Sequence, residues 1–436
     1  MGLSRRTRAV ASICCLLLCA AVAGPEAGGA ANAGGQRQPA SSPAAAPAKV
    51  SYETAFLDLY VSVGLRYPCF KTKGIDWHAV GRELLPRANK VKTDKQFCLL
   101  CMELIARLED SHAHLLAGTA KPEVPPMPRW GAGVACLTDD RGKPVVYYLR
   151  KGSPAEAAGV KVGMALLSVN GEPSAEAVEG CMRRFSKYRG YSSKRYLRYD
   201  AVRRFLWQHK RGAAVSLKMQ EPKKGRAARF KLTATLAPGY LPRLPVPIKG
   251  IADSKNVSWK MLDDKIGYIY VRRIRKDLIG SLDRAVKELA GARGLIVDGR
   301  GNSGGGFDAR RSHRNFAPDD RAEPSRPRFK GPMALLIDER CISAGEGWAS
   351  WFIARKRARV FGTATAGASA RKETFTLKNG LYKVRVPVKH YRGSLRRPIE
   401  RRGLEPDVPL RQTAQDLAVG RDTVLEAAKQ YLLKAK

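Results

Sequence analysis

The feature that most restricts how this sequence can fold is a set of short, almost uninterrupted apolar runs in its second half. "KIGYIYVR" begins at Lys265, "GLIVDGR" at Gly294 and "MALLIDE" at Met333. Each run has the length and composition of a strand. An amphipathic stretch near Ser281–Ala290 separates the first two runs. A helix-like segment starts at about Ala344 and leads to "RVFGTA". Strands alternating with helices specify an α/β core around a mixed or mainly parallel sheet.

Upstream the pattern changes. From Tyr52 to Leu108 the apolar residues recur at helical spacing (Phe56, Leu59 and Tyr60; Leu84 and Leu85; Phe97, Leu100, Leu104 and Leu108), with Thr93 as a helix start. The spacing predicts an N-terminal helical domain over 51–120. The prolines of "KPEVPPMPRW" close it, and short strands follow over 128–236. A second proline-rich segment leads into the core, 245–412, and residues 413–436 read as a basic amphipathic helix.

Residues 1–23 carry Arg5, Arg6 and Arg8, an apolar stretch and Ala21-Val22-Ala23, the pattern of a cleaved export signal. The uncharged run from Ala9 to Gly24 is shorter than the roughly 20 residues that span a bilayer, so no membrane span is expected after cleavage. Residues 24–50, rich in Ala, Gly, Pro and Ser, are expected to be a disordered linker. An exported chain is permitted disulfides, and a bridge from Cys69 to Cys98 or Cys101 is open. No second Cys/His pair follows Cys98 and Cys101 at zinc-finger spacing, so neither metal nor cofactor is expected.

The chain holds 79 Lys+Arg against 39 Asp+Glu, a net charge of +40. Residues 183–211 interleave basic and aromatic side chains, a composition shared with nucleic-acid binders. The positive excess is spread over the whole chain, however, so this stretch reads as a solvated helix face and no specific nucleic acid is implied. Anionic cell-surface polymers and acidic polypeptides are the partners such a field attracts.

Chemistry concentrates in a few stretches. In "ERCISAGEGWASWF", Ser343 occupies a small-residue turn between the third apolar run and a helix, a placement that suits a nucleophile. A hydroxyl needs a base to act as one. "DSHAH" offers Ser111, His112 and His114 among only six histidines, although a lone histidine is more often a hydrogen-bonded structural residue. "DGRGNSGGG" matches a dinucleotide fingerprint through Gly299, Gly301 and Gly304. The following "FDARRSHRNFAPDDR" is a poor helix to receive a pyrophosphate. A glycine turn at a strand end can instead aim bare N–H groups at a developing oxyanion.

Two resemblances gather these pieces. "KGSPAEAAGVKVGMALLSVNGEP" resembles the core of a PDZ domain, which implies a groove for a substrate's C-terminus. Together "LEDSHAHL", that segment, "GLIVDGRGNSGGG", "SAGE", "GTATAG" and "GLEPDV" resemble, in number and order, the carboxy-terminal processing (tail-specific) serine peptidases. One branch of that family activates its serine with a lysine; here Ala368 stands at that position, and Lys372 lies four residues beyond it. The other branch resembles the tricorn protease core and the interphotoreceptor retinoid-binding repeats. That resemblance implies a Ser-His-Ser-Glu tetrad of Ser343, His112, Ser111 and Glu400, with oxyanion donors from Gly304, Gly305, Gly306 and Ala344. It also implies a crotonase-like (ClpP/crotonase) spiral α/β core with an inserted PDZ domain, acting on polypeptide substrates without a cofactor. A non-catalytic binding protein or PDZ scaffold is the alternative. An unperturbed imidazole, with a pKa of about 6.5, places the acid limb of kcat/KM near pH 6–7.

Overall fold

In the computed structural model residues 50–435 are described, apart from 124, 126, 223–224, 238, 253, 307, 309 and 318–326. The expected signal at 1–23 and the linker up to residue 49 lie outside them.

The chain enters through four helices, Tyr52–Arg66, Phe70–Lys73, Trp77–Ala88 and Asp94–Ala106. Ser51, Asp76 and Thr93 each accept a hydrogen bond from the third amide beyond them, the N-cap geometry that starts three of these helices. Phe56, Leu59, Leu84, Phe97 and Leu104 meet in one core. Strand β1 (His114–Ala117) leaves this bundle carrying residues that follow the "DSH" turn.

Next come β2 (Val134–Thr138), β3 (Pro144–Leu149), β4 (Ala165–Val169), β5 (Glu172–Pro173), β6 (Ala213–Gln220) and β7 (Ala227–Ala234). They form an antiparallel sheet in the order β2-β3-β4-β6-β7, with β5 paired to β4. The helices Ser174–Tyr188 and Lys194–Val202 bring Val178, Met182, Phe185 and Tyr196 into its core. That core is shared with Ile342, Ala366 and Ala368 of the region around Ser343.

The remaining strands are β8 (Val257–Met261), β9 (Ile266–Val271), β10 (Gly294–Asp298), β11 (Met333–Ile337), β12 (Arg359–Gly362), β13 (Ala370–Thr376), β14 (Tyr382–His390) and β15 (Val408–Pro409). Six of them make a sheet in the order β15-β12-β11-β10-β9-β8, parallel throughout except for the antiparallel edge strand β8. The mixed α/β expectation holds, and the apolar runs β9, β10 and β11 are buried at every position. Alternate residues serve two cores. Ile269, Val271, Leu295, Val297, Leu335 and Ile337 face the helix Leu278–Glu288, whereas Tyr268, Tyr270, Ile296, Ala334 and Leu336 face the C-terminal helix Thr423–Lys434. The tail thus covers the second face of the sheet through Val424, Leu425, Ala428 and Leu432.

A third sheet, β1-β14-β13, joins the N-terminal bundle to the core. Cys69, Cys98, Cys101, Cys136, Cys181 and Cys341 are all buried thiols. No helix among the described residues is long and apolar enough to cross a membrane.

Candidate active site

Ser343 lies between the buried strand β11 and the helix Ala344–Ala354, with φ 62° and ψ −124°. Such a backbone is sparsely populated by residues with a Cβ and persists only where the surroundings enforce it. Glu346 supplies much of that enforcement. Fully buried, its Oε2 accepts from the Ser343 N–H (3.1 Å), the Ala368 N–H (2.9 Å) and Ser369 Oγ (2.8 Å). Its Oε1 accepts from Thr365 Oγ1 (2.6 Å) and the Gly367 N–H (2.7 Å). The Ser343 N–H also donates to the Ala368 carbonyl at 2.9 Å. The residue at the lysine position of the other branch therefore braces the nucleophile turn through its backbone.

His112 arrives from the N-terminal side, its Nε2 2.9 Å from Ser343 Oγ. Its own N–H donates to Asp110 Oδ1 at 2.9 Å, which fixes the backbone that carries the imidazole. Burial, then the charge of Lys372, pushes the imidazole down to about 4, with Asp110 opposing and His114 and Lys73 adding to the effect. The ordinary value assumed from sequence is displaced because the site is dry and ringed with cations. The Nδ1 atom is buried and has no hydrogen-bond partner among the described residues. One oxygen each of Asp110 and Glu400 and one ring nitrogen of His112 lie within 4.8 Å of one another.

The other expected groups sit close by in different attachments. Ser111 exchanges hydrogen bonds with Ser192: its N–H donates to Ser192 Oγ (3.0 Å), and its Oγ accepts from the Ser192 N–H (2.9 Å). Glu400 accepts from Lys73 Nζ at 2.7 Å and from the Ser369 N–H at 3.1 Å. Burial and the neighbouring Asp110 charge push its carboxyl up to about 8, against the pull of Lys73. Lys73, also buried, bonds Asp110 Oδ2 at 3.2 Å as well, so one ammonium ties both acids.

On the other side of Ser343 the glycine turn closes in. Gly304 has φ 70°, and a Cβ there would fall 2.8 Å from both Ser343 Cβ and the Ile342 carbonyl, so no side chain fits. Its N–H donates to Asn302 Oδ1 at 2.8 Å. Gly305 pairs with Ile274, and Gly306 is exposed. Ala344 is the first residue of its helix, so its N–H has no carbonyl one turn back within that helix.

A serine and a histidine in contact on a β-rich α/β core have a family counterpart: residues 265–410 match the family model for peptidase family S41. The stretch from β9 to β15 carries this match to peptidase family S41. The chain is 23% identical over 390 residues to the putative tricorn protease homolog 2 of Streptomyces coelicolor, covering 83% of this chain and 30% of that protein. It is 25% identical over 276 residues to the carboxyl-terminal-processing protease of a Picosynechococcus, covering 59% of this chain and 58% of that protein. The chain thus spans less than two thirds of the length of either curated relative. The crystal structure of mature CPAF superposes with a TM-score of 0.61 at 14% identity, over 88% of this chain and 96% of that one. At that identity the likeness concerns the fold.

Four side chains of this site carry no clear mark in the sequence. Asp110 and Glu346 had a faint signal, since each stands inside a quoted motif, "LEDSHAHL" and "SAGE". Lys73 and Ser192 had none, because the groups they bond lie 327 and 81 residues away along the chain.

Proposed function

We propose that this chain is a serine peptidase that hydrolyses peptide bonds of polypeptides, with Ser343 as nucleophile and His112 as base. The 2.9 Å approach of His112 Nε2 to Ser343 Oγ, on a strand-to-helix turn with strained φ, is the observation that carries the reading. His112 takes the Ser343 proton as Oγ attacks the scissile carbonyl, and returns it to the leaving amine. The resulting ester is then hydrolysed by a water that His112 deprotonates. The Ala344 N–H and the N–H groups of the Gly305–Gly306 turn are the oxyanion donors in this scheme, with Gly304 supplying the room. Each such donor contributes about 3–4 kcal/mol in comparable sites.

In the same reading Glu400 and Ser111 complete a tetrad, Asp110 adding its negative charge to stabilise the imidazolium. The core is a crotonase-like spiral, and the inserted β2–β7 domain is a PDZ domain that binds substrate C-termini. The relatives' names, a tricorn homolog and a carboxyl-terminal-processing protease, support polypeptides as the substrate class. Export through the signal at 1–23 and attraction to anionic cell-surface polymers belong to the proposal as well.

A fluorophosphonate probe tests it. The wild type should label, Ser343→Ala should not, and His112→Ala should lose about 10²–10⁴-fold in rate. Equal labelling of wild type and Ser343→Ala would remove Ser343 from the role.

A further inference from the structure

A cavity of 550 Å³ opens between the N-terminal helices and the inserted domain, lined in part by the residues that follow His112 in the chain. One wall is Ala113 and His114, the two residues after His112; another is Gly190 and Tyr191, the two before Ser192. Met102, Phe185 and Trp207 make the cavity apolar. Arg129, Arg189 and Arg204 also line it, and no acidic side chain does. Two of these guanidiniums share a single carboxylate, Asp200 Oδ2, at 3.6 Å each, and Tyr191 OH donates to that same oxygen at 3.1 Å. Arg189 lies over Tyr191, and Arg204 over Phe185 and Trp207, so aromatic rings hold the cations at the cavity wall. Three cations against one buried acid leave an apolar chamber with unbalanced positive charge. Its volume falls within the roughly 300–1,000 Å³ typical of ligand pockets and exceeds what one side chain fills.

We propose that this cavity is a substrate pocket that takes a bulky apolar side chain of a polypeptide together with an adjacent acidic residue. The proposal rests on the peptidase reading and adds the class of sequence that the enzyme selects. Apolar walls reward burial of the large side chain, and the arginines reward a carboxylate presented beside it while disfavouring a lysine.

The test uses full-length Ser343→Ala protein and three fluorescent peptides that differ only at a central pair: Phe-Glu, Gly-Glu and Phe-Lys. Binding by anisotropy should be at least tenfold tighter for Phe-Glu than for either of the others. Arg129 is exposed, so adding Arg129→Glu should leave the fold intact and abolish the advantage of Phe-Glu over Phe-Lys while keeping that of Phe over Gly. Equal binding of the three peptides, or a Phe-Glu preference untouched by Arg129→Glu, would overturn the pocket. Cleavage of the same peptides by the wild type is read separately. Preferential binding with no cleavage would overturn the peptidase reading and keep the peptide preference of the cavity. Indiscriminate cleavage with indiscriminate binding would do the reverse.

Discussion

His112, the proposed base, is held neutral by its surroundings. Burial and Lys372 lower its pKa to about 4, where an unperturbed histidine titrates near 6.5. A general base must be unprotonated, so the acid limb of kcat/KM should lie near pH 4, and activity should persist at pH 5. Lys372→Ala removes the second-largest cause of the depression. The limb should then move up toward the ordinary imidazole value while the rate on the neutral plateau stays nearly unchanged. A kcat/KM profile that is the same in wild type and Lys372→Ala would refute this account of the base. Sequence could single out Ser343 and His112, which the fold brings together, because their motifs are local. It could not assign the depressed pKa, which depends on Lys372 and Lys73 arriving from β13 and from a helix near the N-terminus.

A short stretch between β5 and β6, Gly190 to Arg195, braces both halves of the site. Ser192 trades hydrogen bonds with Ser111, next to the base. Ser193 Oγ donates to the Ala366 carbonyl at 2.6 Å and Arg195 Nε to the Thr365 carbonyl at 2.6 Å, on the loop whose Ala368 carbonyl receives the Ser343 N–H. Gly190 makes the approach possible, since a Cβ there would fall 2.5 Å from the Asp110 backbone nitrogen. Gly190→Ala must therefore displace the Asp110–His112 turn. A misplacement of about 1 Å can cost on the order of a hundredfold in rate, so kcat should fall at least tenfold with little change in KM. Gly180→Ala, on the helix Ser174–Tyr188 with only distant arginine tips facing the new methyl, should leave kcat intact. Equal kcat in the two variants would show that the brace has no catalytic role. Read from sequence, residues 183–211 looked like a solvated helix face. In the fold that helix ends at Tyr188, and Phe185, Tyr191, Tyr196 and Phe205 are buried. Composition could not reveal this, because the aromatics face a domain boundary that exists only in three dimensions.

Across the whole molecule, buried titratable groups set the pH of greatest stability. His112, His114 and His313 are each pushed down to about 4 by burial. Between pH 6.5 and 4 the unfolded chain therefore binds protons that the folded chain refuses, and stability falls as the pH drops. Glu400 at about 8 and Asp338 at about 6 act in the opposite sense, binding protons in the folded chain first, so stability falls as pH rises through their range. The buried carboxyls of Glu346 and Asp139 are raised as well, and they oppose the histidines in the same direction. Replacing His313 by Gln should accordingly flatten the part of the loss in urea-unfolding free energy that His313 causes between pH 6.5 and 4; an unchanged pH dependence would contradict this. The α/β core was legible because β9, β10 and β11 stand out as apolar runs of strand length, whereas the place of the C-terminal helix was not, since an amphipathic tail does not name the surface it covers. The dyad carries one more implication. Its two members stand 231 residues apart, and the segment bracing them lies between. A chain emerging from the ribosome holds both residues long before it holds the pair, because distant closures come after local ones. Assembly of the proposed dyad is thus timed by folding itself: the unfinished polypeptide carries both residues without the geometry that joins them.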